Sequence, residues 1–191
     1  MPAIRLVVLH LLLLTVSMLP ASWAGIATHD KALVAETTQF RETGRYDEVE
    51  HRCREWPRRH PGWVRCETVG RTAEGRTIQA LVISKGDNLL PRTRKRQPVV
   101  LLIGGTHPGE IDGKDAGLIL LRQLLASNAP DNPLHRLTVV FVPVFNVDGH
   151  ENRGRYLRPN QNGPLEQGDR TTAQRINLNR DWMLAQTPEM Q

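Results

Sequence analysis

Apolar and polar positions alternate along this chain in distinct periods. Residues Leu6 to Leu19 are almost unbroken apolar sequence behind Arg5, and Pro20-Ala21-Ser22-Trp23-Ala24 ends in small residues. That order predicts a cleavable export leader over residues 1–24, with cleavage after Ala24. About 14 apolar residues fall short of the roughly 20 that a spanning helix needs, so no stable membrane anchor is expected after cleavage. Leu33, Val34, Thr37 and Phe40 then recur at helical spacing, and a second helix is expected around Asp47 to Trp56, its many charges forming a solvated face. Together these make a helical lead-in over residues 25–62.

From residue 63 the period changes. Val64 to Thr68 and Thr77 to Ser84 read as strands joined by a Gly-containing link, which favours a hairpin. Lys85 to Arg96 is a basic surface loop. Val99 to Ile103 is apolar without interruption, as in a buried central strand. Asp112 to Ala126 carries Leu118, Leu121, Leu124 and Leu125 at helical spacing, with Asp112 and Asp115 suited to its N-terminus. Leu137 to Val144 is another buried strand. Strand, helix, strand in this order implies an α/β fold, a mixed, mostly parallel sheet with helices on both faces. Beyond Phe145 the sequence turns to Asn, Gly, Arg and Gln and reads as a long ordered loop, a form usually tied to function. No internal repeat is present.

Composition narrows the function classes. The 191 residues are 39% hydrophobic and 24% charged, which fits a globular domain and excludes wholesale disorder. Lys and Arg number 25 against 20 Asp and Glu, a mixed basic balance without the aromatic or Gly-rich cradle of a nucleic-acid site. Cys53 and Cys66 are free to pair in an oxidising compartment or to remain buried thiols; neither lies in a metal-binding spacing.

Candidate chemistry stands at the end of the first buried strand, in Gly104-Gly105-Thr106-His107-Pro108-Gly109-Glu110. His107 and Glu110, three apart, can offer a nitrogen and an oxygen to one metal ion; the bland reading is a loop His bonded to a neighbouring carboxylate. Farther on, Asn177-Leu178-Asn179-Arg180-Asp181-Trp182 contains a guanidinium able to hold a carboxylate bidentately, against the bland reading of a structural Arg180–Asp181 pair.

Taken together, GGTHPGE, Asn146-Val147-Asp148-Gly149 after the next strand, the upstream Arg71-Thr72-Ala73-Glu74-Gly75-Arg76-Thr77-Ile78 hairpin and the late Asn-Arg pair resemble the zinc carboxypeptidase family, the M14 peptidases, over about residues 63–191. The resemblance implies a carboxypeptidase-like α/β sandwich, one Zn2+ held by His107 and Glu110, and Asn179 with Arg180 gripping the C-terminal carboxylate of a peptide substrate. It further implies removal of C-terminal residues from peptides or cell-wall stem peptides, outside the cytoplasm, in the periplasm or as a secreted protein. An oxyanion donor is expected at Arg158 or Arg170, with Arg170 preferred because its Gly-rich loop approaches Asn179; Gln161 stands where a second Arg is usual. Asn177 occupies the place of a residue that orients the metal-binding His. The third ligand and general-base Glu of the family have no matching motif before Gln191. His135 and His150 are weak replacements, each better read as a surface or turn histidine. The chain therefore reads as the front part of a catalytic domain, incomplete at the C-terminus, expected to be inactive and poorly soluble alone. An alternative is an N-acyl-amino-acid deacylase of the aspartoacylase or succinylglutamate desuccinylase type, whose motifs look similar. Another is a non-catalytic carboxylate-binding remnant.

Overall fold

The computed structural model describes residues 30–85, 89 and 97–191, so the leader expected over residues 1–24 and most of the basic loop lie outside the described residues. Two short helical segments open the described chain. Helix α1 spans Val34–Thr37 and α2 spans Tyr46–Arg59. The helix expected to reach Phe40 ends early: the Thr38 hydroxyl bonds back to the Val34 carbonyl at 2.8 Å, and Gln39 and Phe40 adopt left-handed backbone. Phe40 consequently lies exposed.

Helix α2 has Asp47 and Glu48 in its first turn and Arg58 and Arg59 in its last, the polarity that its dipole favours. Tyr46, Val49, Arg52 and Trp56 form its buried face. Arg52 corrects the expectation of a wholly solvated charged face, because its guanidinium is buried and donates to Asp30 at 2.6 Å and to the Lys31 carbonyl at 2.6 Å. Trp56 also donates to Asp30.

Strands β1 (Val64–Arg71) and β2 (Thr77–Ile83) form the expected hairpin, paired antiparallel from Val64 opposite Ile83 to Arg71 opposite Thr77. A disulfide between Cys53 and Cys66 ties α2 to β1. Strand β3 (Val99–Ile103), helix α3 (Asp112–Ala126) and strand β4 (Thr138–Val142) make the parallel crossover unit.

The sheet order is β1-β2-β4-β3, which overturns the expected mostly parallel sheet. Among the described residues only β3 and β4 are parallel; β1 with β2 and β2 with β4 are antiparallel. The short hairpin link forces β2 to reverse, and β2 then docks on β4. The expectation of a buried central strand at Val99 to Ile103 is corrected as well. Strand β3 is an edge strand among the described residues, and its five residues are 37–58% exposed. An uninterrupted apolar run marks two apolar faces without saying what covers them.

One apolar core joins these elements. Val49 and Trp56 from α2, Ile78, Leu81 and Ile83 from β2, Leu118, Leu121 and Leu125 from α3, and Val139 and Phe141 from β4 all meet there. Gly117 lets the ring of Phe141 lie against α3, since a Cβ at that position would fall 2.4 Å from the Phe141 Cζ. After β4 come α4 (Val147–Glu151), the two-residue strands β5 (Arg153–Gly154) and β6 (Gln167–Gly168), and single 3-10 turns at Leu178–Arg180 and Pro188–Met190. No helix among the described residues is long and apolar enough to cross a membrane.

Candidate functional site

Two turns run side by side where β3 and β4 end. The Gly104 amide donates to the Val142 carbonyl at 2.8 Å, Phe145 donates to Gly104 at 2.9 Å, and Asn146 donates to Gly105 at 3.0 Å. Such close contact requires glycine: a Cβ on Gly104 would stand 2.6 Å from the Pro143 carbonyl oxygen, and Gly105 has φ +59 against the Val144 backbone. The turns then carry His107 and Glu110 to the start of α3.

His107 is the hub of the site. Its ring is buried, with Nδ1 3.4 Å from Glu110 Oε2 and Nε2 2.9 Å from Asn177 Oδ1. The Asn177 oxygen also accepts the Asn179 amide at 3.0 Å, which opens the 3-10 turn carrying Arg180. Glu110 is half exposed, and its Oε1 lies 2.6 Å from Arg158 Nη2 and 3.5 Å from Arg170 Nη1. Burial pushes the Glu110 carboxyl upward, but the Arg158 hydrogen bond and the charges of His107 and Arg158 outweigh it and hold the carboxyl below its ordinary range.

The structure thus brings His107, Glu110, Asn177, Arg158 and Arg170 into one polar chain. Of the two arginines, Arg158 rather than the preferred Arg170 makes the shorter ion pair. Arg158 reaches Glu110 because Gly109 has no side chain; a Cβ there would meet Arg158 Cγ at 2.8 Å and the Gly168 carbonyl at 2.9 Å. Gln161 donates to the Gly109 and Gly163 carbonyls, so it braces the turn where a second guanidinium was looked for.

Asn179 and Arg180 are exposed. Arg180 donates to the Asn179 carbonyl at 3.0 Å and meets no carboxylate among the described residues. Asp181 belongs to a different contact: it accepts the Gln186 and Thr187 amides and the Thr187 hydroxyl, which leaves the bland Arg180–Asp181 pair unformed. Trp182 stacks on Phe145 with ring centroids 5.9 Å apart, docking this turn beside the end of β4.

His135 is exposed on a 3-10 turn. His150 is buried in α4, with Nδ1 2.9 Å from Glu151 and the ring against Arg153. Burial pushes His150 down to about 4, despite the Glu151 contact, so it is neutral at pH 7. Neither histidine joins His107. Among the described residues, no group of three His, Cys, Asp or Glu side chains is arranged to hold a metal ion. Among the described residues, His107 and Glu110 are two of the three protein ligands that a catalytic zinc site uses.

Sequence reasoning missed Asp148. Its buried carboxylate accepts the Thr72 hydroxyl at 2.7 Å, the Glu74 amide at 3.0 Å and Arg76 Nη1 at 2.6 Å. The hairpin turn is thereby fastened to α4, and α4 to the loop of Arg170 through Asp169 N–H to Gly149 O at 2.8 Å. The only signal was the pairing of a Thr-x-Glu-Gly-Arg turn with an Asp-Gly step, which does not announce contact.

The family model for zinc carboxypeptidases, peptidase M14, matches residues 49–189. The chain belongs to the zinc carboxypeptidase family. It is 36% identical over 90 residues to the inactive metallocarboxypeptidase of Schizosaccharomyces pombe, a match covering 44% of this chain and 18% of that protein. It is 33% identical over 97 residues to the inactive metallocarboxypeptidase of Saccharomyces cerevisiae, covering 49% and 22%. The chain thus spans about a fifth of the length of these curated family members. Among solved structures of the family, carboxypeptidase A from Helicoverpa armigera superposes with a TM-score of 0.53 at 25% identity, over 59% of this chain and 27% of that one. The metallo-carboxypeptidase from Burkholderia cenocepacia gives 0.50 at 25% identity, over 76% and 36%. The sheet, its crossover and the adjacent turns are those of a carboxypeptidase-like fold.

Proposed function

We propose that this chain is a non-catalytic member of the family that binds the free C-terminal carboxylate of peptides, and that it does so outside the cytoplasm. The observation that carries the reading is the Arg158–Glu110 ion pair at 2.6 Å, in a site with two potential metal donors and two arginines on Glu110. Glu110 is thereby engaged by Arg158 as well as by His107, and a metal ion would have to displace that guanidinium contact. With no third metal donor beside His107 and Glu110 among the described residues, the role we propose is recognition without hydrolysis.

Recognition follows from Arg180 and Asn179. The planar guanidinium presents two parallel N–H donors to a carboxylate, and the Asn179 amide offers a further donor beside it. Both side chains stand on a turn fixed by Asn177, which His107 holds in turn. The two fungal relatives described as inactive support the reading. The apolar leader and the Cys53–Cys66 disulfide support an exported location.

Isothermal titration of the full chain with a blocked dipeptide bearing a free C-terminus tests this reading, alongside its C-terminal amide and a zinc titration. The expected result is binding of the acid, loss of binding with the amide or with Arg180→Gln, and no stoichiometric zinc after dialysis. Stoichiometric zinc together with release of the terminal residue would replace this reading by the peptidase one. The facing of His107 Nδ1 on Glu110 favours that second reading, which needs a further metal donor from outside the described residues.

A further inference from the structure

The site holds more positive charge than its own carboxylates answer. Arg158 and Arg170 both lie on Glu110, and Glu110 is the one acid that touches either of them among the described residues. Two further acids of the flanking segments, Asp169 and Asp181, are engaged elsewhere. Asp169 accepts from Arg175, the Thr171 amide and hydroxyl, and Asn152, while Asp181 is taken by residues 186 and 187. Glu110 therefore answers one guanidinium well and leaves a surplus that a ligand with a single carboxylate, bound at Arg180, does not remove.

A second observation locates where more negative charge belongs. Arg158 places Nη2 on Glu110, whereas its Nη1 is buried and has no hydrogen-bond partner among the described residues. A buried N–H of a charged group without an acceptor is costly, so Glu110 supplies Arg158 with less acceptor than it needs and has none to spare for Arg170. Arg170 lies on the same side, sharing Glu110 Oε1 at 3.5 Å and 42% exposed. Its loop is braced on both sides: Asp169 N–H donates to Gly149 O and Asn152 O, and the Asp169 carboxylate gathers Thr171 and Arg175. Arg170 is thus presented toward the site by a fixed backbone, with little ordering left to lose on binding.

We infer that the peptide recognised here ends in an acidic residue, and that Arg170, the exposed guanidinium of the pair on Glu110, reads the side-chain carboxylate while Arg180 and Asn179 read the terminal one. The inference rests on the carboxylate-binding reading above and names its ligand class, a C-terminal aspartate or glutamate. Arg170 acts as the specificity-determining residue.

The full chain is titrated with acetyl-Ala-Glu and acetyl-Ala-Gln, isosteric peptides that both carry a free C-terminus, and with the C-terminal amide of each. The Glu peptide is expected to bind about tenfold more tightly than the Gln peptide, as one charge-assisted contact supplies. Arg170→Gln brings that ratio to about one while the melting temperature stays unchanged, and Arg180→Gln weakens both peptides alike. Equal affinities in the native chain overturn the inference, as does a ratio that survives Arg170→Gln. If acids and amides bind equally and the Glu-to-Gln ratio persists, the terminal-carboxylate reading falls and the role of Arg170 stands. If no peptide binds, both fall.

Discussion

The two ends of the sheet are held by different physics. At the β1 end, α2 and the hairpin share a dry apolar core, stapled by Cys53–Cys66 and closed by Arg52 and Trp56 on Asp30. At the β3 end the strand is exposed among the described residues, and the turns beyond β3 and β4 keep their places through glycine contacts and hydrogen bonds such as those of Asp148 and His107. Apolar burial tolerates small displacements, whereas a hydrogen bond is lost with a shift of less than an ångström. The first end supplies stability, and the second uses that support to set donors in fixed directions.

Breaking the apolar end has the largest effect. Trp56→Ala removes a fully buried indole and its bond to Asp30, and is expected to cost about 3–5 kcal/mol in urea unfolding. Replacing Cys53 and Cys66 by Ser opens a crosslink between residues 13 apart and is expected to cost about 3 kcal/mol. Reduction of the native chain should reproduce that loss and leave the double variant unaffected. A loss under 1 kcal/mol for Trp56→Ala, measured against the roughly 3–5 expected, would show that the sheet is not supported from this end.

How much of this contrast was legible in the sequence depends on what each pattern encodes. Period and turn chemistry announced the hairpin, α3 and the β3–β4 crossover, since each is fixed by local spacing. Neighbour order was not local. Nothing in Val99-Val100-Leu101-Leu102-Ile103 distinguishes a central strand from an edge, and nothing in Thr77 to Ile83 states that β2 pairs with β4. Arg52 looked like one more surface charge because its acid, Asp30, lies 22 residues upstream. In the site, the His107–Glu110 spacing was readable and the Asn-Arg turn stood out. Arg158 as the partner of Glu110 depended on the space left by Gly109, a property of packing.

Disturbing the polar end should cost less stability and more geometry. Asp148→Ala strips acceptors from Thr72, the Glu74 amide and Arg76, for an expected loss of about 2–3 kcal/mol, together with faster amide exchange at residues 72–76. His150 gives the same region a pH dependence. Burial, assisted by Lys114 and Arg153 and opposed by Glu151, lowers it from 6.5 to about 4, so the unfolded chain takes up this proton first as pH falls. Its contribution is complete above pH 6.5 and is lost as pH falls toward 4, amounting to about 3 kcal/mol. Glu151 holds on longer. Against burial, its bonds from His150 and the Tyr46 amide bring it to about 2, so its contribution persists above 4.5 and fades toward pH 2. Urea midpoints followed from pH 8 to 3 should show the first decline in the native chain and a flatter profile in His150→Gln.

The smallest stability change is expected where the functional change is largest. Glu110 is half exposed and its ion pairs are solvent-screened, so Glu110→Gln should alter unfolding by no more than about 0.5 kcal/mol. The carboxyl is already ionised at neutral pH, held low by Arg158 and His107 against the effect of burial, and it competes for the guanidinium that an acidic ligand needs. Removing its charge releases Arg158 and Arg170 and should tighten acetyl-Ala-Glu severalfold while changing acetyl-Ala-Gln less. A loss of more than about 2 kcal/mol in Glu110→Gln would instead make the ion pair a strut of the β3 turn, and the polar end of the molecule would then resemble the apolar one in serving stability first.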